Sequence, residues 1–209
     1  ITFPQNLNAE FTGNYWAACD TAKDWILGDI PGNYGFVRVD LVERTPEVAM
    51  HHAIEKLDLV RGIWNLYLNQ RQSIRLSAGR RMPVNKIVQG PIQTIHFPSG
   101  KAATDGWWRN FDYSGPITQF PLSRDIAGML GYFKSIRKRL RRHSYPDAIE
   151  NLIRRYSIAL DDDKWSTCVV HLWSVLEALT ATEYESYDIT IQRATALYQD
   201  REWNEAQLI

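Results

Sequence analysis

The spacing of apolar and polar residues divides the chain into a mixed front part and a helical rear part. Apolar side chains recur at helical intervals over Asn8–Leu27 (Phe11, Tyr15, Trp16, Ala18, Cys19, Ala22, Trp25 and Ile26), which predicts a first helix. The turn formers Gly28 to Asn33 end it. Phe36–Val42 alternates apolar and polar residues, the pattern of a half-buried strand. Thr45 can cap a following helix, Pro46 suits its first turn, and Glu47 suits the positive end of its dipole. That helix is predicted to run to about Gln70, offering Val48, Ile54, Leu57, Val60, Ile63, Trp64 and Leu68 to a core. Residues 71–121 are rich in Gly, Pro, Ser and Arg and read as loops and short strands, Ile87–Gln89 and Ile92–Phe97, with an aromatic loop at Trp107-Trp108.

From Ser123 the periodicity is helical throughout. Ser123 suits the cap of a helix ending near His143, and Pro146 opens another that reaches about Leu160. The loop Asp161-Asp162-Asp163 leads into Lys164–Thr182, and Ile189–Tyr198 and Glu202–Ile209 complete the series. Lys164–Thr182 is apolar over most of its circumference, with Trp165, Cys168, Val169, Leu172, Val175, Leu176 and Leu179 on one side and Val170 and Trp173 widening the surface. Such a helix belongs in the middle of a bundle. The expected fold class is α+β, mainly α: an N-terminal helix and strand region over 1–121, then a helical bundle over 122–209.

Composition adds few constraints. A chain of 209 residues, 44% hydrophobic and 23% charged, can bury a substantial core. Cys19 and Cys168 form no disulfide framework or zinc spacing, which points to a reducing, cytoplasmic compartment. No apolar run is long enough to span a bilayer and no signal peptide opens the chain, so no membrane partner is expected. Ile1 is not a methionine and Ile209 falls inside a helical pattern, so the chain reads as a piece of a longer protein.

Charge changes the picture more. The formal net charge is zero, yet residues 134–155 carry 8 Lys/Arg against 2 Asp/Glu, and residues 156–209 carry 3 against 10. On a helical wheel Lys134, Arg137, Lys138, Arg141 and Arg142 fall within one arc of about 140° and Arg139 lies outside it. Met129, Phe133, Ile136 and Leu140 take the opposite side. A stripe of this kind can neutralise phosphates along RNA, and it can equally be a solvated face or a partner for the acidic segment that follows.

Other candidates are weaker. Glu177 lies among apolar residues and needs a cationic partner on a neighbouring helix, to support a catalytic group or simply as a structural ion pair. His171 shares a small-residue stripe with Ser174 and Ala178 and reads as a packing residue. His51, His52 and Glu55 make a poor metal set, because adjacent histidines point about 100° apart on a helix. Trp107-Trp108-Arg109 could stack on a base but reads first as a packed loop. The chain holds no phosphate-cradling glycine loop and no nucleophile elbow, and no cofactor is implied.

Leu152–Leu160, containing Arg154-Arg155-Tyr156-Ser157-Ile158-Ala159-Leu160, and His171–Leu179, containing Leu172-Trp173-Ser174-Val175-Leu176-Glu177-Ala178-Leu179, together resemble the Apea-like HEPN family over about residues 123–209. The region from Val37 to Leu68 looks like the segment that often precedes such domains. The resemblance implies an up-and-down helical bundle that pairs into a homodimer, often a metal-independent ribonuclease of prokaryotic antiviral defence or toxin systems. A protein partner or phage-derived trigger would be expected beside the RNA. The family's catalytic signature is an Arg followed after four to six residues by a His, with His suited to acid–base work on the ribose hydroxyl and Arg to charge on the phosphate. The signature comes after the helix carrying Glu177, but no His follows His171. Arg137 with His143 and Arg44 with His51 have the spacing but precede that helix, so the resemblance carries over only Glu177, in a supporting role. The expectation is that the signature lies beyond Ile209. The alternative is a non-catalytic interaction or dimerisation module with a sensing front part.

Overall fold

In a computed structural model of the chain, the residues described are 37–70, 84–90, 92–104, 107–108, 126–162, 164–180 and 186–196. They form five helices, α1 (Pro46–Asn69), α2 (Ile126–Leu140), α3 (Pro146–Ala159), α4 (Trp165–Thr180) and α5 (Tyr187–Ala196), and a two-stranded ribbon of β1 (Ile92–Gln93) and β2 (Trp107–Trp108). The molecule is thus mainly helical. Among the described residues no helix is long and apolar enough to cross a membrane. The predictions for Asn8–Leu27, Ser123 and Glu202–Ile209 lie outside these residues.

Helix starts follow the local chemistry. The Thr45 hydroxyl accepts a hydrogen bond from the Val48 amide at 3.4 Å, and Pro46 occupies the first turn, where a missing N–H costs nothing. Pro146 opens α3 in the same way, although Tyr145 before it caps with no side-chain bond. At the far end of α4, Arg193 of α5 donates to the Thr180 carbonyl at 2.8 Å, satisfying an acceptor that the helix leaves open.

The core joins the front and rear of the sequence. Leu59 and Ile63 of α1, Leu140 of α2 and Ile153 of α3 are buried together, with Leu66, Tyr132, Phe133, Ile136 and Ile149 packed around them. Each fully buried aliphatic side chain of this kind contributes about 1.5–3 kcal/mol. This shared core crosses the boundary that the sequence pattern places at 121/122. α1 and α3 approach so closely at Gly62 that a Cβ there would lie 2.8 Å from Ile153 Cγ2 and 2.9 Å from the Ile153 carbonyl oxygen.

Several expectations are corrected. α3, not α4, is the centre of the described bundle: it packs on α1 on one side and on α4 on the other. α4 buries Cys168, Val175 and Thr180 but leaves Val169, Val170, Trp173 and Leu179 exposed, because its neighbours cover one face of a helix that is apolar nearly all round. Of residues 37–42 only Arg38 forms a β-bridge, Ile87–Gln89 belong to neither described strand, and Trp107-Trp108, expected as a loop, pairs antiparallel with Ile92-Gln93. Of the predicted strand Ile92–Phe97, only Ile92-Gln93 joins the ribbon, and His96 forms an isolated bridge to Ala102.

A buried polar cluster, not foreseen from the apolar pattern, fixes the segment 84–90. Arg61, 2% exposed, is bonded to Asp58 at 2.7 Å and to Asp161 at 2.6 Å. Asn65 exchanges two hydrogen bonds with the backbone of Ile87, at 3.0 and 3.1 Å. Gln89 donates to Asp58 at 2.8 Å, and Asn85 donates to the Ser157 carbonyl at 2.6 Å and to Asp161 at 2.7 Å. Burial works against the Arg61 charge, but Asp161 and Asp58 outweigh it, so its pKa is raised. Two carboxylates share this guanidinium. Burial, with a smaller push from the Asp58 charge, holds the Asp161 carboxyl above its ordinary range despite Arg61 and Asn85.

Candidate functional site

The cationic stripe folds as its spacing predicts. Along α2, Met129 and Leu140 are buried and Ile136 is half-buried, so the helix turns its apolar side to the core and its cations outward. Lys134, Arg137, Lys138, Arg141 and Arg142 then line one open groove of about 450 Å³, with Phe133 among them. The groove is anchored from below, because the Phe133 ring packs 6.2 Å from that of Trp64 on α1. The lining contains no carboxylate.

The electrostatics of this face follow from where the acidic residues go. Arg137, half-buried, bonds Glu150 of α3 at 2.7 Å. Lys134, Lys138, Arg141 and Arg142 are exposed and have no carboxylate partner among the described residues. Two carboxylates of the acidic segment are engaged elsewhere: Asp161 bonds Arg61, and Asp162 accepts from the Lys164 amide at 2.8 Å. Exposed cations on one face keep their hydration and flexibility while raising the local potential, an arrangement suited to polyanions.

At the C-terminal end of α2 the chain turns through His143 and Tyr145. The His143 amide donates to the Leu140 carbonyl at 3.0 Å, and the Tyr145 amide donates to His143 Nδ1 at 3.1 Å. The two rings lie 6.2 Å apart, tilted by 56°. This aromatic pair had no signal in the apolar periodicity, since it sits in a turn. The Pro146 that follows it was the available clue.

No family model, curated protein or solved structure matches this chain. The site therefore rests on its own geometry.

The remaining candidates are dispersed. Glu177 is half-buried and accepts from the Trp173 indole one turn back on its own helix, at 2.8 Å, instead of pairing with a cation of a neighbouring helix. Trp173 in turn packs against Tyr187 of α5 with ring centroids 5.9 Å apart. Glu177 lies on α4, away from the α2 groove lining. His171 is exposed, not packed; its carbonyl accepts from Ser174, whose hydroxyl also takes a 2.7 Å bond from Arg155. Arg137 and His143, which have the family spacing, are each bonded to a different partner, Glu150 and the Tyr145 amide. Near the start of α1, His51 and Glu55 are exposed and His52 pairs with Glu43 at 2.7 Å. Among the described residues no three or more His, Cys, Asp or Glu side chains are placed together to hold a metal ion. Arg109 lies outside the described residues.

Proposed function

We propose that this protein binds RNA along the outer face of α2, acting in the cytoplasm as a HEPN-type effector, or effector subunit, of antiviral defence that cleaves RNA without metal. The observation that carries the binding reading is the groove in which Lys134, Arg137, Lys138, Arg141 and Arg142 meet with no carboxylate in its lining. Phosphates laid there would displace counterions, so affinity should fall steeply with salt. The cleavage part rests on the likeness of Arg154–Leu160 and Leu172–Leu179 to the family's paired helices. It requires an Arg-x4–6-His pair after α4, which residues 181–209 do not supply.

The test uses the full-length protein and labelled RNA over a salt series. With the four exposed cations engaged, log affinity against log salt should have a slope of about −3 on a single strand. Reversing Lys138 and Arg141 to Glu should flatten the slope and weaken binding. Unchanged affinity in that variant rejects the reading. Cleavage in the presence of a chelator, lost when the distal Arg and His are changed to Ala, supports the catalytic part, and cleavage that survives those changes overturns it.

A second reading, a non-catalytic module that dimerises or docks a partner, is favoured by a different observation. Val169, Val170 and Leu179 of α4 are all more than half exposed, an apolar face of the kind that partners cover. Binding of RNA without cleavage, together with a concentration-dependent dimer disrupted by Val170→Asp, would favour this module.

A further inference from the structure

Just past the cations of the α2 groove the chain carries an exposed aromatic ring. Tyr145 is 70% exposed, among the most exposed of the large apolar side chains in the described residues, and it stands three residues beyond Arg142. Its backbone is fixed on both sides: the amide bonds to His143 Nδ1, and Pro146 begins α3 immediately after it. The His143 ring sits 6.2 Å away and limits where the phenol can swing. A flat exposed ring beside a second ring, just past a row of exposed cations, is the combination that single-stranded nucleic acids select. Cations follow the backbone, and a ring accepts the face of an unstacked base. A duplex keeps its bases stacked and can use only the cations.

We propose that Tyr145, backed by His143, is a base-stacking platform that makes the α2 groove a site for single-stranded RNA in preference to duplex RNA. This rests on the reading of α2 as the RNA-binding face and adds to it the class of RNA and a residue outside the cationic stripe. The base lies on the open side of the Tyr145 ring, and the phosphates on its flank run back along Arg142, Arg141 and Lys138. Stacking of this kind carries no sequence code, because every base presents a similar face.

The experiment measures fluorescence anisotropy of the full-length protein with an unstructured single-stranded RNA, the same strand with one abasic site scanned along it, and a blunt duplex of equal length. Tyr145→Ala should weaken binding of the single strand by about five- to a hundredfold, the range expected for losing one stacked base, and leave the duplex affinity and the salt slope unchanged. Tyr145→Phe should restore single-strand binding. The most weakly bound abasic strand should bind wild type about as weakly as the intact strand binds Tyr145→Ala. The side chain makes no capping bond, so the variants should unfold at the wild-type midpoint. Equal losses on strand and duplex, or no loss on either, overturn the platform. If Lys138→Glu with Arg141→Glu abolishes binding while Tyr145→Ala changes nothing, the platform fails and the cationic face stands. If that double reversal changes nothing, the parent reading fails.

Discussion

Arg61 and Arg141 lie in the same bundle and are used in opposite ways. Arg61 is sunk between α1 and the 84–90 segment with two carboxylates and a carbonyl on its nitrogens. Arg141 stands in an open groove among cations, with no carboxylate partner among the described residues. The first arrangement is structural, since a buried charge is tolerated only when its partners are in place. The second contributes little to folding and keeps its charge for a ligand. The difference shows how a chain of zero net charge can still present a strongly positive surface. Asp161 opens the acidic half, yet it is drawn inward to Arg61, not across to α2.

The sharpest way to break this comparison is to remove the guanidinium that is already paired. Arg61→Ala would leave Asp58 and Asp161 without their cation and should cost about 3–5 kcal/mol, read from the urea midpoint. Arg141→Ala in the same assay should stay within about 0.5 kcal/mol of wild type. Equal effects of the two substitutions would end the distinction between a structural and a functional cation.

A smaller loss is expected next to Arg61. Gly62→Ala pushes a methyl group against Ile153 Cγ2 and its carbonyl, and the backbone carbonyl cannot rotate away as a side-chain end could. We expect about 1–3 kcal/mol of destabilisation. Pairing it with Ile153→Leu, which removes the Cγ2 methyl, should recover part of that loss, whereas simple additivity would mean that the α1–α3 contact is looser than described.

The mildest effect concerns pH at the edge of the polar cluster. Burial raises the Tyr156 phenol above its ordinary value of 10.0, more than its hydrogen bond with Asn69 lowers it. A phenol whose folded pKa is raised gives its full contribution below pH 10 and loses it as pH climbs through the folded value. Tyr156→Phe should therefore close part of its stability gap to wild type, or overtake it, above pH 10. Parallel loss in both proteins would show that this phenol is not desolvated.

Much of this contrast was legible in the sequence, though unevenly. Thr45-Pro46 and Pro146 mark helix starts because capping and the missing proline N–H act locally. The cations of α2 were legible because a charged stripe opposite an apolar one has a single sensible orientation. The centre of the bundle was not. Apolarity alone favours α4, but centrality depends on which neighbours reach a helix, and α3, with polar residues along its length, lies between two partners. The buried cluster left a subtler trace. Asp58, Arg61, Asn65 and Asn69 follow one another at three- and four-residue steps, a polar stripe on a helix otherwise read only for its apolar residues. Its partners Asn85, Gln89 and Asp161 are distant in sequence, so no local pattern could supply them. The partner of Glu177 was not legible for a related reason: the wheel located its burial but not the indole four residues back that donates to it.

The bond between Arg61 and Asp161 joins positions 100 residues apart. A partly assembled bundle with α1 docked but the end of α3 still loose would hold a desolvated guanidinium with one of its two counterions missing. Such a species lies high in free energy, so assembly should be all-or-none across what the sequence presents as two segments. A chain cut between residues 108 and 126 should therefore yield two pieces that regain structure only when mixed, each being the other's chaperone.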